Sequence, residues 1–454
     1  MLRLLLLIIL ACSNVYILPV KAQESSPLKA ADSSTLNAID RQLMLKLIDL
    51  ARFNIHFHET ANRHQPWRDW TYPICREAGT SLSLSNSILG LRSRAPGLDD
   101  PKRISRSGVI NGDICGTMGG AIGGTASTFE LVQNAMVHLH ARSLGYSSHT
   151  SVVHVLQEVR EIDQLRQRRA AMVEKLTKPN ERRVRVLEAV LFHEIEEQLL
   201  FEFRKWNCNS RELNWRENVF YMMDAGQNFT GMTSAILGIE SNYQPRFRGP
   251  AALTALISAS GQTLSPIIAG ASGIFIDKYQ RRKLAKHFPL KKPELPADVS
   301  MESINSLRSG KESGEDIDLS HAAVLTSNAL KLDQALHGEI RAIHNLRTIA
   351  QQQAITGPLI GLTNVARGIL VTVADYGYPR NALLDNRLKF AGRISQAVGQ
   401  SASILVTAGT KFLSVKKDTE LRRQQSLPSQ RFARRLKDLD DLEVMVRSDN
   451  FRIP

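Results

Sequence analysis

Three histidines near the start of the chain come nearest to a metal site in residue type and spacing. His56, His58 and His64 lie in the segment FNIHFHETANRHQPW. His58-Glu59 begins like a zincin helix, in which a second histidine follows four residues after the first and both bind zinc. His64 follows six residues after His58, so it would lie on another face of a helix. We keep the three as candidate zinc ligands, beside the interpretation that they are surface or partly buried side chains.

The sequence contains no motif that pairs a nucleophile with a base. It has no GxSxG segment of the hydrolase kind. The glycine-rich run at 112–124 contains no lysine, which excludes the phosphate-binding loop GxxxxGK[ST]. We therefore expect a non-enzymatic protein with no cofactor. A metal-dependent enzyme that uses the three histidines is the alternative.

The glycine-rich run is a candidate for close helix packing. Gly112, Gly116, Gly120 and Gly124 recur at four-residue spacing, which in a helix leaves one face open to another backbone, as in membrane helices. Each glycine disfavours a helix by about 0.8–1.0 kcal/mol relative to alanine, so packing or lipid must compensate. The run resembles the glycine-zipper segments of small bacterial envelope lipoproteins, which implies contact with a membrane of the envelope. A flexible loop is the alternative.

Two cysteines are candidates for one disulfide bond. Cys75 and Cys208 each precede a small-residue segment and each lies near a tryptophan. An exported protein would keep such a bond oxidised. The alternative is that these two residues and Cys115 are three buried thiols.

The elements that position these residues are predicted to be helices. Two small-residue segments joined by a polar, basic, Pro-containing loop occur three times, and the first two copies align as AGTSLSLSNSILGL and AGQNFTGMTSAILGI. Their apolar residues fall at mixed three- and four-residue steps, which is typical of helices, and Pro and Gly in the loops end them. The sequence predicts an all-α fold of repeated small-residue helical hairpins joined by long charged amphipathic helices.

The charged helices between the hairpins carry apolar stripes. Leu156, Ile162 and Leu165 belong to one stripe, which predicts packing within the same domain; a coiled coil with another chain is the alternative. A segment rich in Pro, Ser, Glu and Lys predicts a flexible linker. The predicted division is a signal peptide (1–22), an N-terminal helix with the first hairpin (23–145), charged helices with the second hairpin (146–288), the linker (289–319) and C-terminal helices with the third hairpin (320–454).

The N-terminus has the pattern of a secretory signal peptide. Arg3 precedes the apolar stretch Leu4 to Ala11, and cleavage is expected after Ala22. Lipidation at Cys12 and an uncleaved anchor are the alternatives. Each version predicts an extracytoplasmic protein, in the periplasm, in the cell envelope or secreted, and membrane-associated.

The chain is basic, with 58 Lys and Arg against 44 Asp and Glu and a net charge of +14. Such a charge attracts polyanions. Because export is predicted, we expect an anionic membrane surface or an envelope polymer as the partner, and no nucleic acid. A protein partner or a homo-oligomer is also open.

Charges argue against simple membrane-spanning hairpins. The 23 residues from Thr254 to Ile276 carry no charge and are long enough to cross about 30 Å of hydrocarbon. Asp113, Asp224 and Arg367 interrupt the other segments, and a charge at a helix centre costs about 2.5–3.5 kcal/mol. We expect hairpins that pack together or lie at a membrane surface; oligomeric insertion around water is the alternative. The leading hypothesis is an envelope protein associated with membranes through these hairpins, and the second is a soluble extracytoplasmic scaffold or binding module.

Overall fold

The computed structural model describes residues 36–61, 68–177, 179–289, 358, 361–423 and 428–447. The predicted signal peptide, Cys12, His64 and residues 290–319 of the predicted linker lie outside these ranges. Within them every regular element is helical and no strand occurs, which confirms the all-α prediction. Whether the hairpins are copies of one repeated unit stays a prediction.

Nine helices follow one another along the described part of the chain. They are α1 (Leu36–Ala61), α2 (Arg68–Arg94), α3 (Arg106–Ser143), α4 (Ser148–Val173), α5 (Pro179–Ser241), α6 (Arg248–Leu284), α7 (361–372), α8 (Ala382–Arg423) and α9 (Pro428–Arg447). Short 3-10 helices at Ala95–Leu98, Pro101–Arg103 and Pro245–Phe247 lie in the connections, and a π-helical turn, Val373–Gly377, extends α7.

Helix ends follow local signals in the sequence. The Ser105 hydroxyl accepts a hydrogen bond from the Gly108 amide at the start of α3, and Ser147 does the same for Thr150 at the start of α4. Gly145, with a φ of 80°, follows the end of α3 in the left-handed conformation that favours glycine. α5 is the exception to the predicted boundaries. It continues for 63 residues without a break, so the predicted charged helix and the first arm of the second hairpin are one helix.

The large buried apolar side chains form one cluster, which we call the head. The head consists of α1, α4, residues 192–208 of α5, residues 284–288 and α9. Phe57, Phe203 and Ile162 are fully buried at its centre, and the stripe predicted on α4 packs against it. Each such side chain contributes about 1.5–3 kcal/mol through burial, so the head holds the apolar core of the described residues.

The remaining helical segments form a closed ring: α2, α3, residues 216–241 of α5, α6, α7 and α8. Neighbours in the ring run antiparallel. The contacts that join them, in order around the ring, are Gly79 with Gly119, Gly120 with Asn228, Ser234 with Ala251, Gln262 with Asn364, Thr363 with Ser395 and Gln400 with Ser87. The connections at 95–105, 242–247 and 378–381 therefore lie together at one end of the ring, which we call the loop end.

The predicted domain from 146 to 288 contributes to both parts. Its first helix, α4, belongs to the head, whereas α5 and α6 extend from the head into the ring. Arg204 of the head donates hydrogen bonds to the carbonyl oxygens of Arg281 and Pro289, which ties α5 to the end of α6. Head and ring therefore share two helices instead of being joined by a linker.

Candidate functional site

The ring encloses a cavity of about 480 Å³. Side chains from all six segments line it, and most are Gly, Ala, Ser, Asn, Gln, Arg or Asp. The volume lies in the range of sites that bind small molecules, although the lining is far more polar than usual. This cavity is the candidate functional site.

Small residues bring the helices of the ring into backbone contact. A Cβ atom added at Gly119 would lie 2.7 Å from the carbonyl oxygen of Gly79, and one added at Gly79 would lie 2.9 Å from the carbonyl oxygen of Gly119. Both distances are shorter than real side chains allow. Glycine at these two positions lets α2 and α3 approach one another as closely as membrane helices do at small-residue contacts.

The glycines of the predicted run are all helical, in α3, and they face two partners. Gly112 and Gly116 lie against Asn86 of α2, whereas Gly120 and Gly124 lie against Asn228 and Phe229 of α5. Gly119 and Gly123, which the four-residue spacing omits, lie equally close to neighbouring helices. The run is therefore the place where α3 packs between α2 and α5, and the flexible-loop alternative is wrong.

A buried ion pair crosses the cavity. Arg393 of α8 donates to the Asp113 carboxylate of α3 over 2.9 Å and to the side-chain oxygen of Asn86 of α2 over 2.6 Å. All three side chains are buried. The two charges compensate one another where a single charge would be unfavourable.

A second charged group lies nearer the loop end. Lys389 of α8 contacts the carboxylates of Asp375 at 2.5 Å and Asp385 at 2.8 Å. On the next turn of α8, Asn386 accepts a hydrogen bond from the Arg94 guanidinium at 3.2 Å and donates one to the Arg94 carbonyl oxygen at 3.1 Å. These contacts hold the loop-end half of α8 against α2 and the end of α7.

At the end of the cavity nearer the head, one carboxylate collects several donors. Asp224 accepts hydrogen bonds from Tyr72 at 3.0 Å, Gln227 at 2.6 Å and Asn228 at 3.2 Å, and also from Ser127. Donors from three helices therefore satisfy this carboxylate. In the sequence alone, it is a charge within a small-residue segment.

The three charges that argued against membrane insertion all line this cavity. Asp113, Asp224 and Arg367 face the inside of the ring, and the first two have the partners described above. The premise of an unpaired charge at the helix surface is therefore wrong for both aspartates.

The outside of the ring is apolar. Large apolar side chains on α2, α3, α6, α7 and α8 are exposed and absent from the cavity lining, among them Ile88, Met118, Phe275, Ile369, Val398 and Phe412. By contrast, the buried apolar residues of the ring are small, mainly alanines. By length and composition, one described helix, at Pro245–Leu284, is apolar enough to cross a membrane. Polar inside and apolar outside is the reverse of a water-soluble helical bundle.

Two of the three candidate zinc ligands, His58 and His56, belong to the described residues, and they have different surroundings. The His58 ring packs against Trp206 and Phe432, at centroid distances of 4.8 and 4.9 Å, and burial lowers its pKa to about 4. His56 is half-buried and faces Glu59. No group of three His, Cys, Asp or Glu residues within the described ranges is arranged to hold a metal.

The predicted disulfide bond is absent, because Cys75 and Cys208 are both free thiols, as is Cys115. The ring of Tyr72, which precedes Cys75 by one turn, packs on Tyr221 at a centroid distance of 5.0 Å. Cys208 precedes Tyr221 by 13 residues on α5, or about 20 Å along the helix. The two thiols therefore lie at different levels, too far apart for a bond.

Sequence reasoning missed the polar side of α8, although a signal was present. Asp385, Lys389, Arg393, Gln396, Gln400 and Ser403 all line the cavity. Their steps of three and four residues form a polar stripe on a helix whose opposite side carries Ile394, Val398 and Leu405. Such a stripe predicts a polar interior once the apolar side is assigned to lipid.

The chain has no significant match among protein-family models, curated proteins or solved structures.

Proposed function

We propose that this protein is a non-enzymatic, exported protein of the cell envelope whose helix ring lies in a membrane and whose cavity takes up small hydrophilic solutes. The observation that carries this proposal is the reversed polarity of the ring. Its cavity holds charged and amide side chains, whereas its exposed outer face holds large apolar ones. This arrangement favours lipid outside and water inside.

Energetics support a membrane location for the ring. Transfer of a large apolar side chain from water into hydrocarbon is favourable by about 1.5–3 kcal/mol, and the outer face carries many of them. Charges that face a watery cavity avoid the insertion cost that lipid would impose. Helix length is also adequate, because the 27 residues of α2 extend about 40 Å, more than a hydrocarbon core of about 30 Å.

The head supports the same proposal by contrast. It buries its large apolar residues in a conventional core, and its outer surface carries exposed ion pairs such as that between Arg52 and Asp440. These are the properties of a water-soluble unit. With the predicted export signal, the head lies outside the cytoplasm, and the loop end of the ring points toward the cytoplasm.

Fractionation of cells that express the full chain tests this function. We expect the protein to stay in the membrane pellet after carbonate extraction and to dissolve only with detergent. A peripheral control, the same treatment of a known carbonate-released protein, shows that extraction works. Release by osmotic shock, or a carbonate-soluble protein, would contradict the proposal and favour the soluble scaffold.

A further inference from the structure

We propose that the cavity binds a small oxyanion, a carboxylate or phosphate that also carries hydroxyl groups, on a cluster of arginines formed by Arg94, Arg367 and Arg393. This inference rests on the proposed function, since it names the class of solute that the cavity takes up. It is carried by the charge balance of the cavity and by polar atoms there that have no partner among the described residues.

The cavity contains more positive charge than its carboxylates neutralise. Within the described residues, the lining has seven basic side chains and four carboxylates, an excess of three positive charges. In the loop-end half, Arg393 pairs with Asp113, and Lys389 takes both remaining carboxylates. No carboxylate of the described residues is left in this half for the other arginines.

In the loop-end half of the cavity, four lining arginines thus lack a carboxylate partner among the described residues: Arg94, Arg106, Arg248 and Arg367. The first and the last are partly buried within the ring, and the other two are exposed at the loop end. An uncompensated guanidinium inside a protein is unfavourable unless a counter-ion binds it. A bound anion is the compensation that the described side chains do not supply.

Arg367 is the most deficient of these side chains. It lies on α7, where its stem packs against Gly392 of α8. Its Nε is buried and has no hydrogen-bond partner within the described residues. The charges of Arg393 and Arg94 act on it repulsively, and Asp113, which would attract it, already pairs with Arg393. All three guanidinium groups line the same cavity.

The other two arginines are held in fixed orientations. Asn386 is fully buried and holds Arg94 by the two hydrogen bonds described above. Asp113 and Asn86 hold the two terminal nitrogens of Arg393. Arg94 uses one of its five donors in these contacts, so the rest are available to a ligand. A planar guanidinium matches carboxylate and phosphate oxygens in a two-point contact, which is why the ligand is an oxyanion.

Unpartnered acceptors add a second requirement. The side-chain oxygens of Asn364 and Gln396 are buried, line the cavity and have no donor within the described residues. Asn364 uses its amide nitrogen on Gln262 at 2.7 Å, which fixes the orientation of its oxygen. A ligand that donates from a hydroxyl group would satisfy both acceptors, whereas a bare inorganic anion such as sulfate would not.

The loop end is the side from which an anion would enter. Arg106, stacked on the Tyr243 ring at 4.4 Å, and Arg248 are exposed there. Basic side chains at a cavity mouth raise the local concentration of anions. The opposite end instead presents the carboxylate of Asp224, which already accepts hydrogen bonds from Tyr72 and Gln227 and would repel an anion.

Binding to the purified full chain in detergent tests the inference. The probes are glycerol 3-phosphate, malate and sulfate, with choline chloride as a cationic control, and the readouts are calorimetry and thermal stability. We expect saturable binding of glycerol 3-phosphate or malate, at least tenfold tighter than sulfate, and none of choline. The tighter of the two ligands identifies phosphate or carboxylate as the source. No saturable binding of any anion at millimolar concentration would overturn the inference.

Variants distinguish the cavity from general basic charge. Arg367→Gln should weaken the tightest ligand at least tenfold, and it should raise the unfolding temperature of the anion-free protein, because it removes an uncompensated charge. Lys102→Gln, at the loop end and outside the cavity lining, removes the same charge and should change neither. Equal loss of binding in the two variants would overturn the inference. Fractionation tests the proposed function separately. A carbonate-resistant protein that binds no anion would overturn only this inference. A soluble protein that binds anions would overturn only the membrane location.

Discussion

Arg393 and Asp113, 280 residues apart in the chain, form an ion pair of 2.9 Å inside the helix ring. The pair joins α8 to α3, and Asn86 extends it to α2. Removal of Asp113 would leave Arg393 buried without its carboxylate. Such a pair therefore specifies how the first and last helices of the ring lie relative to one another.

Asp113→Asn should destabilise the protein by about 3–5 kcal/mol, because it leaves the buried Arg393 without its carboxylate. Arg393→Gln should cost less, because the charges of Arg367 and Arg94 still act on Asp113. The double variant should lose less than the sum of the two. Unfolding in detergent, followed by circular dichroism, measures this. Arg103→Gln is the control, since its ion pair with Asp100 is exposed; additive losses in the double variant would contradict the role of the pair.

Gly119→Ala should destabilise the ring, because the added Cβ would lie 2.7 Å from the Gly79 carbonyl oxygen and backbone cannot move aside. The expected loss is about 1–3 kcal/mol, as for overpacked cores. Gly226→Ala on α5 is the matched control, because nothing lies within 4 Å of its added Cβ. That control should be neutral or stabilising by up to about 1 kcal/mol. Equal unfolding temperatures of the two variants would contradict the close contact.

Val398→Lys should reduce the amount of protein in the membrane fraction. Val398 is 60% exposed on the outer face of α8, near the level of the buried pair, and a lysine in lipid costs about 2.5–3.5 kcal/mol. Val444→Lys is the control, because Val444 is 69% exposed on α9 of the head. Membrane-fraction yields by quantitative immunoblot should fall for the first variant only. Unchanged yields of both variants would indicate that water surrounds the ring.

Glu196→Gln should stabilise the head at pH 8 by roughly 2–3 kcal/mol. Burial raises the pKa of Glu196 from 4.5 to about 7, although Arg166 lies 2.9 Å away. The folded head thus keeps this proton up to about pH 7, whereas the unfolded chain releases it near pH 4.5. The free energy of unfolding therefore falls as pH rises through this window and is level above it.

The glutamine variant should lose that contribution to the pH dependence, which denaturant titrations between pH 4.5 and 8 measure. Glu197→Gln, whose side chain is 40% exposed on the same turn, should reduce the slope far less, because the Glu197 charge adds only a small part to the raised pKa of Glu196. A wild-type stability that rises between pH 5 and 7 more steeply than that of Glu196→Gln would contradict the raised pKa.

The sequence predicts individual helices much better than their assembly. Apolar steps of three and four residues identified the stripe on α4 and the small-residue helices, since these depend on neighbours within one turn. The closure of the ring depends instead on pairs such as Ser87 with Gln400, 313 residues apart, for which one sequence holds no local signal. Asp113 illustrates the result: its position within an apolar segment argued against a membrane, and only the position of Arg393 shows that it is compensated.

The candidate site was missed for the same reason. Glycine spacing identified α3 as a packing helix, but it did not show that Gly116 and Gly120 face different partners. The histidines and cysteines were candidates because of their residue types. His58 instead packs between two aromatic rings, a role that its spacing in the sequence does not reveal.

The unbroken length of α5 has a mechanical consequence. Its 63 residues form a helix of about 95 Å. The N-terminal half packs in the apolar core of the head, and the C-terminal end forms part of the cavity wall. No hinge interrupts it, and its interior contains no proline. A tilt of the head would therefore press Asn228 of α5 against the glycines of α3, and the two helices are already in close contact there. A displacement of the head would therefore reach the cavity through a single continuous helix.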